Sequence, residues 1–328
     1  MKKLVKISLV AVTVVTAALI SSSFYLLHTA IGGERFTQQE VLERLSAHAP
    51  LTRHWADSII ASGSLRDTTI TMDDGTLRHA YYLPANTPTP NTAVLVHGYK
   101  MSGLWMLSIG YMYHNDFGYN ILLPDLWCHG KSDGDYIAMG WNDRLDVLRW
   151  LDVANTIFKG DAPATNMVVH GVSMGAATVM NLSGEKTPDY VKCFIEDCGY
   201  TSVWDEFSHE LHNLYHLPET PLLHCASALC KVRYGWSFGE ASPLRQVTKA
   251  TKPMMFIHGS NDNFVPTKMV YPLYKAYKGP KRIWVAPGSR HAMSYGDHPE
   301  EYTARVREFI AESTSPKVNL QFFASRMQ

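Results

Sequence analysis

Residues 166–180 read NMVVHGVSMGAATVM, and the reading of this stretch decides the fold. Met167, Val168, Val169 and His170 make the short, unbroken run expected of a strand covered on both faces. Ala176 to Met180 continue as a helix. Between them stands Gly171-Val172-Ser173-Met174-Gly175, a G-x-S-x-G pentapeptide. A strand-to-helix turn this tight forces the serine into a strained conformation. Glycines two residues to either side relieve the crowding that a Cβ would cause. The turn lifts the hydroxyl clear of the sheet at a helix N-terminus, where developing negative charge is favoured.

Outward from this elbow the same rhythm repeats. Short apolar runs bounded by Gly, Pro or Asp occur at 92–98, 119–125, 191–197, 253–259 and 281–287, with amphipathic stretches such as 143–158 and 299–310 between them. That alternation predicts an α/β fold with a mostly parallel central sheet flanked by helices. Upstream, alternating runs on either side of Asp74-Gly75 predict a hairpin within 68–83. One interval breaks the pattern. Residues 201–250 carry Trp204, Phe207, Leu211, Leu214, Tyr215, Tyr234, Trp236 and Phe238 but no strand signal, and are expected to form a helical cap insertion. Residues 31–66 read as a helical connector with Val41, Leu42 and Leu45 on one stripe, and 67–314 as the domain proper. The tail 315–328 shows no interpretable period.

A serine hydroxyl needs a base to take its proton. On this scaffold the chain order is nucleophile, acid, histidine. The run PMMFIHG leads into Ser260-Asn261-Asp262, and RIWVAP into Gly288-Ser289-Arg290-His291. Both loops fall at the carboxyl edge of the sheet, where catalytic groups gather. Ser173, Asp262 and His291 are thus the expected triad, with Asp197 as the alternative acid. His97, His170 and His258 adjoin strand ends and read as structural, and Cys128 lacks an activating role. The expected oxyanion donors are the backbone N–H groups of Met174 and Tyr99, the latter following His97-Gly98. No metal or organic cofactor is implied.

With these segments assembled, residues 68–312 resemble the α/β-hydrolase superfamily, and within it the serine-aminopeptidase-like and Bem46-like hydrolases. LVHGYKMSGLWM, PDLWCHGKSDG, HGVSMGAAT, FIHGSNDNFVP and SRHAMS carry the likeness in the family's order. Trp127-Cys128-His129-Gly130 departs from the commoner Arg-Gly-His-Gly form and reads as a structural loop near the site. The resemblance implies a serine hydrolase passing through an acyl-enzyme. Trp105, Met106, Trp204 and Tyr215 suggest an apolar substrate pocket, which favours an ester or related acyl substrate. A peptidase holding a short peptide's amine through Glu206, Glu210 or Glu219 is the alternative, and a non-catalytic binding protein on the same scaffold is the other.

Thirty Lys+Arg balance thirty Asp+Glu, so there is no basic excess for nucleic acid, and 46% hydrophobic residues exclude a disordered chain. Five Cys cannot build a disulfide miniprotein; a Cys225–Cys230 bridge and buried free thiols both stay open. The balance hides an asymmetry. Residues 1–30 hold Lys2, Lys3 and Lys6 and no acid, followed by an uncharged run from Ile7 to Leu27. About 20 apolar residues span a bilayer, so 1–30 is expected to be a membrane anchor with a cytoplasmic N-terminus, or else a cleaved signal segment. Either reading places the body outside the cytoplasm. The sequence is silent on oligomeric state.

Overall fold

The computed structural model describes residues 2–33 and 35–314; the tail 315–328 lies outside the described residues. The strands are β1 (Arg66–Thr71), β2 (Leu77–Leu83), β3 (Asn91–Val96), β4 (Asn120–Pro124), β5 (Asn166–Val172), β6 (Val191–Asp197), β7 (Met254–Gly259) and β8 (Lys281–Ala286). The helices are α1 (Lys2–Ile31), α2 (Gln38–His48), α3 (Pro50–Ala61), α4 (Leu107–Tyr111), α5 (Asp143–Phe158), α6 (Met174–Ser183), α7 (Val203–Tyr215), α8 (Leu222–Tyr234), α9 (Pro243–Val247), α10 (Val270–Ala276), α11 (Ser294–Asp297) and α12 (Pro299–Thr314).

The chain divides into two compact units. One contains Gly33–Thr201 and the chain from Pro243 onward; the other joins Met1–Gly32 to Ser202–Ser242. In the first, eight strands form one sheet in the order β1-β2-β4-β3-β5-β6-β7-β8. The β1–β2 hairpin is antiparallel, with Thr71 opposite Leu77 around the Asp74-Gly75 turn, and β2 runs antiparallel to β4. From β4 to β8 every pairing is parallel. β3, β4 and β7 are buried almost throughout, which is why their sequences read as continuous apolar runs.

The segment expected as a connector is part of this core. Thr37 caps α2 in a reciprocal box: the Glu40 N–H donates to its Oγ1 and its own N–H donates to Glu40 Oε2. Pro50 opens α3 at a position that needs no N–H. Val41, Leu42, Leu45, Ala56 and Ile59 then pack into the cluster that holds Leu104, Leu107 and Tyr113. Each fully buried large aliphatic there contributes roughly 1.5–3 kcal/mol relative to exposure.

The second unit corrects the expected insertion. It ends at Ser242, because α9 packs on α6 of the sheet unit, and it includes the N-terminal helix, which was expected to stand apart. Within it α1 packs against α8, and α7 packs against α8. Phe207 meets Phe238 edge-on at 4.8 Å, and the Ser227 Oγ accepts the Phe238 N–H. Val5–Ile31 is one helix long and apolar enough to cross a membrane.

Candidate active site

Ser173 stands between β5 and α6 with φ 59° and ψ −121°, a left-handed conformation that costs a non-glycine residue about 1–3 kcal/mol. The sheet over-determines it. Its N–H donates to the Asp197 carbonyl at 2.8 Å, and its own carbonyl accepts the Ala177 N–H at 3.0 Å. A Cβ on Gly171 would fall on the Gly175 carbonyl, and one on Gly175 on the Val96 carbonyl, so neither glycine position has room for a side chain.

The Ser173 Oγ lies 2.8 Å from His291 Nε2, and His291 Nδ1 lies 2.7 Å from Asp262 Oδ2. Three loops separated by up to 118 residues therefore converge in one line of hydrogen bonds. The loops after β7 and β8 are tied together: the Ser260 N–H donates to Ala286 O, the Asn261 N–H to Ser289 O, and the Gly288 N–H to Ser260 Oγ. Phe264 packs against the His291 ring at 4.9 Å.

Asp262 is buried yet well supplied with donors. Its Oδ1 accepts the N–H groups of Phe264 and Val265, each at 3.0 Å. Burial alone would push its carboxyl up; the hydrogen bonds from His258 and His291 and their charges outweigh that and hold it at about 2. It is therefore ionised, ready to keep the His291 proton on Nδ1 and stabilise an imidazolium.

Asp197, the alternative acid, faces elsewhere. Tyr302 donates to its Oδ2 at 3.0 Å and Ser294 to its Oδ1 at 3.3 Å. Burial pushes it up to about 6, only partly offset by the Tyr302 hydrogen bond. Its place is in a buried wire. The Tyr113 hydroxyl donates to His170 Nδ1, His170 Nε2–H donates to the Tyr302 oxygen, and Tyr302 donates to Asp197. Burial lowers His170 to about 3, so the wire runs through a neutral imidazole.

His97 is also buried and neutral, its Nδ1 donating to Gly98 O and its Nε2 accepting the Leu126 N–H. The 124–134 loop is organised by Asp125, which accepts from Gly103 N–H, Lys131 N–H and His79 Nδ1. Of the expected oxyanion donors, Met174 opens α6 directly after Ser173, and Tyr99 follows Gly98, where an added Cβ would lie 3.3 Å from the Ser173 Cβ. Of the expected pocket residues, Met106 is fully enclosed in the core and lines no open surface, because its short helical turn packs face-down on β3 and β4. Trp105 is half-buried against that core. Trp204 and Tyr215 belong to the helical unit, where Trp204 meets His224 edge-on at 4.8 Å and Tyr215 is exposed.

Three residues near the triad have no signature in the sequence. His258 Nε2 lies 3.3 Å from Asp262 Oδ2 and 2.9 Å from Val265 O. Cys198, with φ 56°, and Ala292, with φ 58°, meet where the Ala292 N–H reaches the Cys198 thiol. Among the described residues, Cys198, Asp262 and His291 form the one group with potential metal-ligating atoms all within 4.8 Å, although His291 and Asp262 are already bonded to each other. All five cysteines are free thiols, so Cys225 and Cys230 are not bridged.

A model of the prolyl oligopeptidase family matches residues 136–317, more than half of the chain. The chain belongs to the prolyl oligopeptidase family. It is 32% identical over 230 residues to the uncharacterized protein YqkD of Bacillus subtilis (strain 168), covering 70% of this chain and 74% of that one. Among solved structures, the esterase Pf2001 of Pyrococcus furiosus superposes with TM-score 0.59 at 24% identity, covering 76% of this chain and 93% of that one. The acylaminoacyl peptidase of Pyrococcus horikoshii gives TM-score 0.56 at 16% identity, covering 79% of this chain and 44% of that one. The sheet is that of the α/β-hydrolase fold, and this member of the prolyl oligopeptidase family is a hydrolase.

Proposed function

We propose that the protein is a membrane-anchored serine esterase working through Ser173, His291 and Asp262. The observation that carries this reading is the unbroken line from the strained Ser173 hydroxyl through His291 to an ionised Asp262. Ser173 Oγ attacks the acyl carbonyl carbon while His291 Nε2 takes its proton. The N–H groups of Met174 and Tyr99 hold the oxyanion. The tetrahedral adduct collapses as His291 returns the proton to the leaving alcohol, and water, deprotonated in turn by His291, releases the acid.

An acyl substrate of small size is favoured over a polymer by the half-buried Trp105 in the loop after β3. The family and the acylaminoacyl peptidase likeness favour a second reading, cleavage of an aminoacyl amide. Val5–Ile31 anchors the chain with Lys2, Lys3 and Lys6 inside and the hydrolase outside the cytoplasm.

Detergent-solubilised full chain treated with a fluorophosphonate tests the proposal. Labelling is expected in the wild type and absent in Ser173→Ala; an unlabelled wild type refutes it. Faster turnover of aminoacyl amides than of p-nitrophenyl esters moves the assignment to the peptidase.

A further inference from the structure

The N-terminal helix changes character along its length. Val5 to Ala18 is exposed all round. From Leu19 onward one stripe turns inward: Ser23, Leu27 and Ile31 are buried, and Leu19, Leu26 and Ala30 are half-buried. The spacing is that of one helical face. This part of α1 packs against α8 of the insertion, where the Ser23 hydroxyl donates to the Leu222 carbonyl at 3.3 Å and the Arg233 guanidinium lies 5.7 Å over the Phe24 ring. A segment discarded after export would leave this face of α8 uncovered, so the packing favours retention of the helix.

Distance along the helix fixes the depth of the contact. Ser23 and Phe24 lie about 27–29 Å beyond Val5 at 1.5 Å per residue. A bilayer's hydrocarbon core is about 30 Å thick. The Ser23 and Phe24 contacts with α8 thus fall within the outermost few ångströms of hydrocarbon, with the half-buried Leu19 about 6 Å deeper, and the insertion must begin at the membrane surface. Its exposed side chains agree. Val232, on α8, is 86% exposed, the highest value for a large apolar side chain among the described residues, and Leu214 is 66% exposed. Tyr215 and Leu217 are exposed beside Leu214. Arg233 stacks on both Phe24 and Tyr234, the pairing of a guanidinium that reaches toward headgroups from an aromatic belt.

We infer that the insertion is a lipid-contacting surface: α7, α8 and the turn between them seat Leu214, Tyr215, Leu217 and Val232 in the outer leaflet beside the anchor. Residues 202–242 carry five acidic and two basic residues, so the attraction is apolar and needs no anionic lipid. The inference rests on the reading of Val5–Ile31 as a membrane span.

The test uses the full chain in phosphatidylcholine vesicles. Cys225→Ser removes the one cysteine that is not buried. Val232→Cys, Leu217→Cys and, as an aqueous control, Tyr271→Cys on α10 are then labelled with an environment-sensitive fluorophore. Lipids brominated at the upper acyl chain are expected to quench positions 232 and 217 by about twofold and to leave 271 unchanged, with no further gain from phosphatidylserine. Resistance to alkaline carbonate extraction reports the span separately. Retained protein whose labels at 232 and 217 are quenched only by iodide overturns the inference and leaves the anchor standing. Quenching by neither agent, as when a second copy or another protein covers the face, overturns it too. Protein released by carbonate overturns both readings.

Discussion

Replacing Asp262 with Asn separates the two tasks of that carboxylate. The change is nearly isosteric, and the site dictates how the amide must sit. The Phe264 and Val265 N–H groups, each 3.0 Å from Oδ1, require an acceptor there. The amide nitrogen is then left facing His291 Nδ1 at the place of Oδ2, 2.7 Å away. A donor in that position forces Nδ1 to accept, moves the imidazole proton to Nε2 and points it at Ser173. The base is lost. An exchange of this kind lowers kcat by about 10⁴, or about 5.4 kcal/mol of transition-state stabilisation.

Stability responds with its own pH signature. The carboxyl is held at about 2 in the fold, against roughly 3.9 when unfolded. A depressed acid contributes stability that is fully present above the unfolded value and is lost as pH falls through the folded one, here about 2–3 kcal/mol. Urea midpoints at pH 7 and pH 2.5, with single-turnover hydrolysis of a p-nitrophenyl ester, measure both effects. Asp262→Asn should be less stable than wild type at pH 7, with most of the difference gone at pH 2.5. A variant that keeps more than about a hundredth of the activity, or a stability gap indifferent to pH, refutes the reasoning.

Two further expectations concern strain and buried charge. Ser173→Gly should unfold at a higher urea concentration by about 1 kcal/mol, because glycine accepts φ 59° freely, while losing all fluorophosphonate labelling; an unchanged or lower midpoint contradicts the strain. Asp143 is pushed up to about 7 by burial and by the neighbouring Asp146. The native state then keeps a proton that the unfolded chain loses near pH 4, so this group's contribution falls as pH rises from 4 to 7, by up to about 4 kcal/mol. Asp143→Asn should flatten that decline between pH 4 and 7, and an identical slope in both proteins counts against it.

What the sequence made legible follows from which interactions are local. The six runs from TAVLVHG to KRIWVAP became β3 to β8: the inner strands, covered on both faces, write their burial directly into composition, and the half-buried edge strand β8 still shows as a branched and aromatic run. The elbow was legible because a positive φ beside two obligatory glycines leaves a five-residue trace. The contact of Cys198 with Ala292 left none: each takes a left-handed conformation without being glycine, and they are brought together from 94 positions apart only by the β6–β7–β8 pairing. His258 looked structural because nothing local tells that its ring reaches Asp262. Met106 looked like a pocket residue because apolar character alone does not separate core from cleft. The union of α1 with residues 202–242 had one hint, Ser23 set in line with Leu27 and Ile31, and as the last of the three serines Ser21-Ser22-Ser23 in an uncharged run it carries no distinguishing mark.

That union also sets a timetable for synthesis. Ser23 and Leu222 are 199 residues apart, and at roughly 5–20 residues per second the ribosome needs about 10–40 s to deliver the second after the first. For that interval the stripe of Leu27 and Ile31 has no α8 to meet. On the proposed reading of Val5–Ile31 as a membrane span, that stripe keeps its apolar flank in lipid until α8 arrives, and the span becomes the template on which the last part of its own unit is assembled.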